Sequence, residues 1–190
     1  MTDRHPLLAY PQLRYYLTAR LAATLAQNSL VVVIGWQVYD LARQTMDTKA
    51  AAFQLGMVGL VQFMPLLLLS LVVGWTADRL DRRWIARAAI ALEVVCGVIL
   101  AVANIQHVLS LPILFGVAAL LGVARAFAMP ALQALAPNLV PPEALPRTIA
   151  LSSIAWQIGA VMGPATGGYL YAIGHATPYV VSAALFALRY

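Results

Sequence analysis

Two charged residues lie well inside long apolar segments, where ionised side chains are rare: Glu93 and Arg125. An ionised side chain at the centre of a membrane helix costs about 2.5–3.5 kcal/mol on insertion scales, so such residues are usually paired or functional. Glu93 and Arg125 lie about nine and about seven residues from the same end of their segments, so their depths differ by only about 3 Å. They could pair to fix helix packing, or face a central cavity and couple to protons or to a charged substrate.

Gln27, Asn28 and Ser29 form a polar group at mid-depth of the first apolar segment. Polar side chains at this depth line a cavity or form hydrogen bonds between helices. Both interpretations stay open for Gln27 and Asn28.

A charged stretch joins the second and third apolar segments. Its residues of interest are Gly74, Asp78, Arg79, Arg82 and Arg83. Glycine at a helix end permits close approach of another backbone, and a carboxylate can stabilise the positive N-terminus of a neighbouring helix. Arginines beside it could exchange partners as one side of the protein opens and closes. The alternative is a simple stop-transfer loop whose arginines set orientation.

The fifth apolar segment contains a glycine repeat with a proline. Gly159, Gly163 and Gly167 recur every four residues and so share one helical face, while Pro164 favours a kink and Gly168 extends the run. The pattern predicts a smooth face for close packing or a hinge.

These motifs resemble those of the major facilitator superfamily. The Gly74–Arg83 stretch is similar to its signature between helices two and three, although Thr76 and Asp81 replace the usual Leu and Gly. The fifth-segment run resembles the signature of proton-coupled exporters, with Ala150 in place of an earlier glycine. Two further stretches, from Arg125 to Gln133 and from Pro137 to Pro146, are similar to the fourth helix and the following loop of the enterobactin-exporter-like branch.

Composition places the chain in a membrane. Hydrophobic residues make up 62% and charged residues 10% of the 190 residues, and the mean hydropathy is +0.81. Soluble domains are about 45–50% apolar and about 25% charged. We therefore expect an all-α polytopic membrane protein in contact with a lipid bilayer.

Residues 15–190 are expected to form six transmembrane helices, after a cytoplasmic N-terminal segment over residues 1–14. The expected spans are Tyr15–Leu41, Phe53–Gly74, Trp84–Gln106, Ser110–Leu132, Ile149–Ile173 and a short sixth segment, Thr177–Tyr190. Basic residues near the span ends number eight on the side of the N-terminus and two on the other, Arg43 and Lys49. Because Lys and Arg near span ends are enriched on the cytoplasmic side of a membrane, the N-terminus is expected in the cytoplasm. The protein is expected in the inner (plasma) membrane.

The sequence favours no enzyme, cofactor or metal site. Cys96 is the single cysteine, and His5, His107 and His175 lack ligand spacing. The net charge of +5 is explained by arginines that flank spans, so no nucleic-acid partner is expected.

The resemblance implies alternating access by two six-helix halves, of which this chain is the N-terminal one. We expect a small-molecule substrate, proton-coupled export, and either a truncated product or a second six-helix half, with a homodimer as a further option. A siderophore is the first expectation for the substrate, ahead of a lysophospholipid or multidrug carrier. A non-transporting membrane scaffold is the competing class.

Overall fold

The computed structural model describes residues 11–79, 81–133 and 145–188. Over these residues the chain forms helices and no strands, which confirms the expected all-α class. The helices are α1 (Pro11–Arg43), α2 (Thr48–Arg79), α3 (Arg82–Ile105), α4 (Leu111–Gln133), α5 (Leu145–Ile173) and α6 (Thr177–Ala187). His5 and most of the stretch from Pro137 to Pro146, both used in the sequence interpretation, lie outside the described residues.

Four of the described helices are long and apolar enough to cross a membrane by length and composition: α1, α2, α3 and α4. Helix α5 has 29 residues but is not among these four candidate spans. Helix α6 is described over 11 residues, or about 16 Å at 1.5 Å per residue. The crossing of the bilayer by α5 and α6 therefore stays a prediction.

The helices pack around α1. Helix α1 makes its most extensive contact with α5 and also packs on α2, α4 and α6, while α3 lies between α4 and α6. The core is formed mainly by α1, α3, α4 and α6, and its largest buried side chains include Leu30, Ile34, Leu100, Leu114 and Tyr179. This arrangement brings α1, α3 and α4 together, and these helices carry Gln27, Glu93 and Arg125.

The connection between α2 and α3 differs from the predicted loop. The backbone stays helical through Gly74 and Asp78 to Arg79, and α3 begins at Arg82. Gly74 does not end α2, because a glycine alone removes no backbone hydrogen bond and is common in membrane helices. The charged stretch therefore includes the end of α2 and the start of α3. Asp81 accepts backbone hydrogen bonds from Trp84 (2.9 Å) and Ile85 (3.2 Å) and so begins α3.

Candidate functional site

Glu93 is the centre of a buried polar cluster. Its side chain on α3 has no exposed surface. The amide of Gln27, on α1, donates a hydrogen bond from Nε2 to Glu93 Oε1 at 2.7 Å. A carboxylate removed from water needs such donors, because an unsatisfied buried charge is strongly destabilising.

Arg125 reaches the same cluster from α4. Its guanidinium NH2 donates to the backbone carbonyl of Gln27 at 2.8 Å, and its charge interacts with that of Glu93. The Arg125 Nε is buried and has no hydrogen-bond partner among the described residues. Gln27 thus contacts both charged residues, one through its side chain and one through its backbone.

Asn28 faces a different helix. Its Nδ2 donates to the Thr24 carbonyl one turn earlier in α1, at 2.9 Å, and its Cβ lies against α5 at Gly163. Of the four residues predicted for coupling or cavity lining, Gln27, Glu93 and Arg125 are brought together, whereas Asn28 lies in the α1–α5 interface.

The glycine repeat of α5 forms the other side of that interface. Gly159, Gly163 and Gly167 are buried, and a Cβ added at each would lie 2.6–2.7 Å from Thr24, Asn28 and Ser29 in turn. Real Cβ atoms do not approach other atoms so closely, so these positions accept no side chain without a shift of α1 or α5. Gly168 is exposed and a Cβ there would have nothing within 4 Å. Pro164 lies inside α5, between the second and third contacts.

Ser29 is the α1 residue that packs against Gly167. Its Oγ is buried and has no hydrogen-bond partner among the described residues. A buried hydroxyl without a partner costs about 1–3 kcal/mol, so the close packing of α1 on α5 is maintained against this cost.

The charged stretch lies at the opposite end of α2 from the α1–α2 connection. The structure does not describe the side chains of Asp78, Arg82 and Arg83, or the surroundings of Gly74. Arg79 and Asp81 are exposed side chains that make further interactions. Arg87 lies over the Trp84 ring, with its Cζ 5.6 Å from the ring centre. The proposed gating role of this stretch therefore stays a prediction.

Sequence reasoning missed a second polar layer. Gln37 Nε2 donates to Asn104 Oδ1 at 2.7 Å, and the Tyr179 hydroxyl donates to Gln37 Oε1 at 2.6 Å. These residues join α1, α3 and α6 and are buried or partly buried. The available signal was a glutamine and an asparagine near the ends of apolar segments, but nothing in their spacing indicated a tyrosine from α6.

Comparison with known proteins agrees with the motifs. The family model for the Major Facilitator Superfamily matches residues 17–188. Macrolide efflux protein A of Streptococcus pyogenes, and the protein of the same name from a serotype M6 strain of that species, are each 28% identical to the chain over 127 residues. That stretch is 67% of this chain and 31% of each relative, so the match spans under a third of the relatives' length.

The chain belongs to the Major Facilitator Superfamily, because the family match covers most of its length. It is a multi-pass membrane protein, as its apolar helices indicate. The narrower resemblance to enterobactin exporters stays a prediction.

Proposed function

We propose that this chain is one six-helix half of a secondary transporter that exports a small molecule by alternating access. The observation that carries the proposal is the buried cluster of Glu93, Gln27 and Arg125, which places opposite charges between three apolar helices. Charged residues inside a membrane bundle are expensive and commonly mark substrate or proton pathways.

The cluster is suited to coupling because its charges can be rearranged. Proton uptake by Glu93 would neutralise the carboxylate and weaken its attraction for Arg125, which could then bind another anion. Arg125 Nε has no partner among the described residues, so the guanidinium keeps a donor for such a group. If the Glu93–Arg125 pair only stabilised helix packing, transport would not depend on protonation of Glu93. The coupling role and the structural role therefore differ in whether transport depends on a proton gradient.

The substrate is proposed to be a hydrophobic drug-like molecule. The two relatives are named for macrolide efflux, and this favours a multidrug or macrolide carrier over the siderophore and lysophospholipid alternatives. Substrate contacts from outside this chain would also contribute.

A second six-helix half is proposed as the partner. Helix α2 carries exposed apolar side chains at Phe53, Leu60 and Leu67, which recur every seven residues and so share one face. Lipid could cover the same face. The partner is preferred because the relatives extend far beyond the matched stretch and because one half cannot close a midplane site from both sides.

The orientation is proposed from the arginines. Positive charge near the N-terminus and around Arg79–Arg87 favours the cytoplasmic side of the inner membrane for both. In this orientation the Gly74–Arg83 stretch would gate the cytoplasmic opening.

Proteoliposomes test the proposal. The chain would be reconstituted alone and together with the C-terminal half of the macrolide efflux relative, with an imposed pH gradient and a radiolabelled macrolide. A catecholate siderophore and a lysophospholipid would be compared as substrates. We expect gradient-driven macrolide movement only when both halves are present. No movement of any substrate in either preparation would support the scaffold class instead.

Glu93→Gln is the variant that tests coupling. It keeps the length of the side chain and an oxygen acceptor for Gln27, but it cannot exchange a proton. We expect gradient-driven transport to fall at least tenfold while exchange without a gradient persists. The matched control is Asp47→Asn, which removes an exposed carboxylate at the start of α2 but keeps the cap on Ala50. Equal gradient-driven rates in Glu93→Gln and the unaltered chain would exclude the coupling role.

A further inference from the structure

A cavity of about 450 Å³ lies where α1 and α3 end and α5 turns into α6. Its volume is in the range of small-molecule pockets, about 300–1,000 Å³. Gln37, in its wall, follows Gln27 by ten residues along α1, or about 15 Å at 1.5 Å per residue. The cavity is therefore separate from the cluster around Glu93.

Apart from two histidines, the charge in the cavity has one sign. Asp40 is the single carboxylate among the residues that line it, and none of those residues is Lys or Arg. The Asp40 carboxylate makes no hydrogen bond or ion pair with any described residue. Arg43, one turn further along α1, donates instead to the Met46 carbonyl at 3.2 Å. An exposed acid without a basic partner attracts cations and repels anions.

The wall beside Asp40 is aromatic. The rings of Tyr171 and His175 lie 4.7 Å apart and are tilted by 55°, and Tyr171 is close enough to interact electrostatically with Asp40. Aromatic faces attract organic cations through their quadrupole. His107, in the connection after α3, also lines the cavity.

The part of the cavity wall formed by Gln37 and Asn104 is held by hydrogen bonds before any ligand enters. Gln37 is held by Asn104 and Tyr179, and Asn104 is itself held by the Leu100 carbonyl at 2.8 Å. A prearranged site loses less entropy on binding than a mobile one.

We propose that this cavity binds a small aromatic amine in its protonated form. Asp40 pairs with the ammonium group, and Tyr171 and His175 contact the aromatic part. A metal ion fits less well, because no group of three metal-ligating side chains occurs among the described residues. The site is built from this chain alone, so it does not depend on the transport activity proposed above.

Calorimetry on the 190-residue chain in lipid nanodiscs tests the site. The probe is dibenzylamine in its protonated form, compared with its neutral isostere dibenzyl ether and with the anion diphenylacetate. We expect the amine to bind at least tenfold more tightly than the ether and the anion not to bind. Asp40→Asn should weaken amine binding about tenfold and leave ether binding unchanged, and Asp40→Glu should restore part of the affinity.

Asp47→Asn is the matched control, because it removes a carboxylate at the same end of the bundle that does not line the cavity. It should change amine affinity less than twofold. Thermal unfolding of each variant verifies that the fold is intact. Equal affinities for amine and ether, or equal losses in Asp40→Asn and Asp47→Asn, would overturn the proposal. Because binding is measured without a gradient or a second half, a failure of transport would leave this result unaffected.

Discussion

Gln27 connects the two buried charges. Its amide binds Glu93 and its carbonyl accepts from Arg125, so a neutral residue contacts both the anion and the cation. Movement of either charge would then change the hydrogen bonding of the same turn of α1. This makes α1 the element through which a change at Glu93 could reach the rest of the bundle.

Gln27→Leu should destabilise the chain by about 1–2 kcal/mol. The substitution keeps the size of the side chain but removes the Nε2 donor, so Glu93 loses a hydrogen bond in a buried place. Hydrogen bonds between membrane helices average about 0.6 kcal/mol and reach about 1.7, and an ionised acceptor favours the upper part of that range. Reversible unfolding in detergent measures the change in the free energy of unfolding.

The neighbouring Asn28→Ala is the control for Gln27→Leu. Its amide bonds only within α1, and alanine keeps the Cβ that contacts Gly163. The effect of Gln27→Leu should also shrink in a Glu93→Gln background, because a neutral acceptor is less costly to leave without its donor. Equal losses in Gln27→Leu and Asn28→Ala would contradict the bridging role.

The depth of the buried polar residues in the membrane could be predicted from the sequence, but the direction in which each side chain points around its helix could not. Counting residues placed Glu93 and Arg125 at similar depths, and the structure brings them into one cluster. Gln27 and Asn28 are adjacent, so they point about 100° apart around α1. Which of them faces Glu93 depends on the rotation of α1, and that rotation is set by its contact with α5.

At the level of elements, the α1–α5 contact explains the composition of α5. This helix is rich in small residues and is not among the four candidate spans, yet it makes the most extensive contact in the bundle. Its small residues allow the two backbones to approach, and dispersion rather than hydrophobicity drives association between helices in lipid. The glycines of α5 that face α1 are therefore a property of a packing helix.

Gly163→Ala should destabilise the bundle by about 1–3 kcal/mol, the usual cost of overpacking. The added methyl group would lie 2.6 Å from Asn28 Cβ and 3.0 Å from the Leu25 carbonyl, so α1 and α5 must separate. Unfolding in detergent measures the loss.

Gly168→Ala is the matched substitution for this test. It adds the same methyl group to the same helix in open space, where the better helix propensity of alanine should stabilise by up to about 1 kcal/mol. If both variants lose stability equally, α5 requires glycine for a reason other than its contact with α1.

Helix ends were the least predictable feature of the elements. The charged residues after Gly74 suggested a loop, but polar residues are as compatible with a helix that continues beyond the apolar core as with a connection. Helix α2 does continue to Arg79, since no proline follows Gly74 to interrupt its hydrogen bonds. Helix α2 therefore extends further along the chain than the sequence indicated.

On the scale of the whole molecule, polar groups form two layers on α1. The first contains Gln27 with Glu93 and Arg125, and the second contains Gln37 with Asn104 and Tyr179. The layers are separated by apolar core residues such as Leu30 and Ile34. If the predicted orientation holds, the second layer and the cavity beside Asp40 lie toward the non-cytoplasmic side.

Cysteine labelling tests this orientation. Cys96 is the single cysteine and is buried, so Cys96→Ala provides a background without reactive thiols. Thr45→Cys, in the exposed α1–α2 connection, should react with a membrane-impermeant maleimide on intact cells. Pro146→Cys, exposed near the start of α5, should react only after the membrane is permeabilised.

The two positions control for each other, because both are exposed and lie at opposite ends of the bundle. Positive charge favours the cytoplasm by eight residues to two, a bias large enough to set one orientation. The reverse labelling pattern would place the N-terminus outside and move the cavity beside Asp40 to the cytoplasmic face. Labelling of both positions on intact cells would instead indicate a mixed population, in which a vectorial export function could not be sustained.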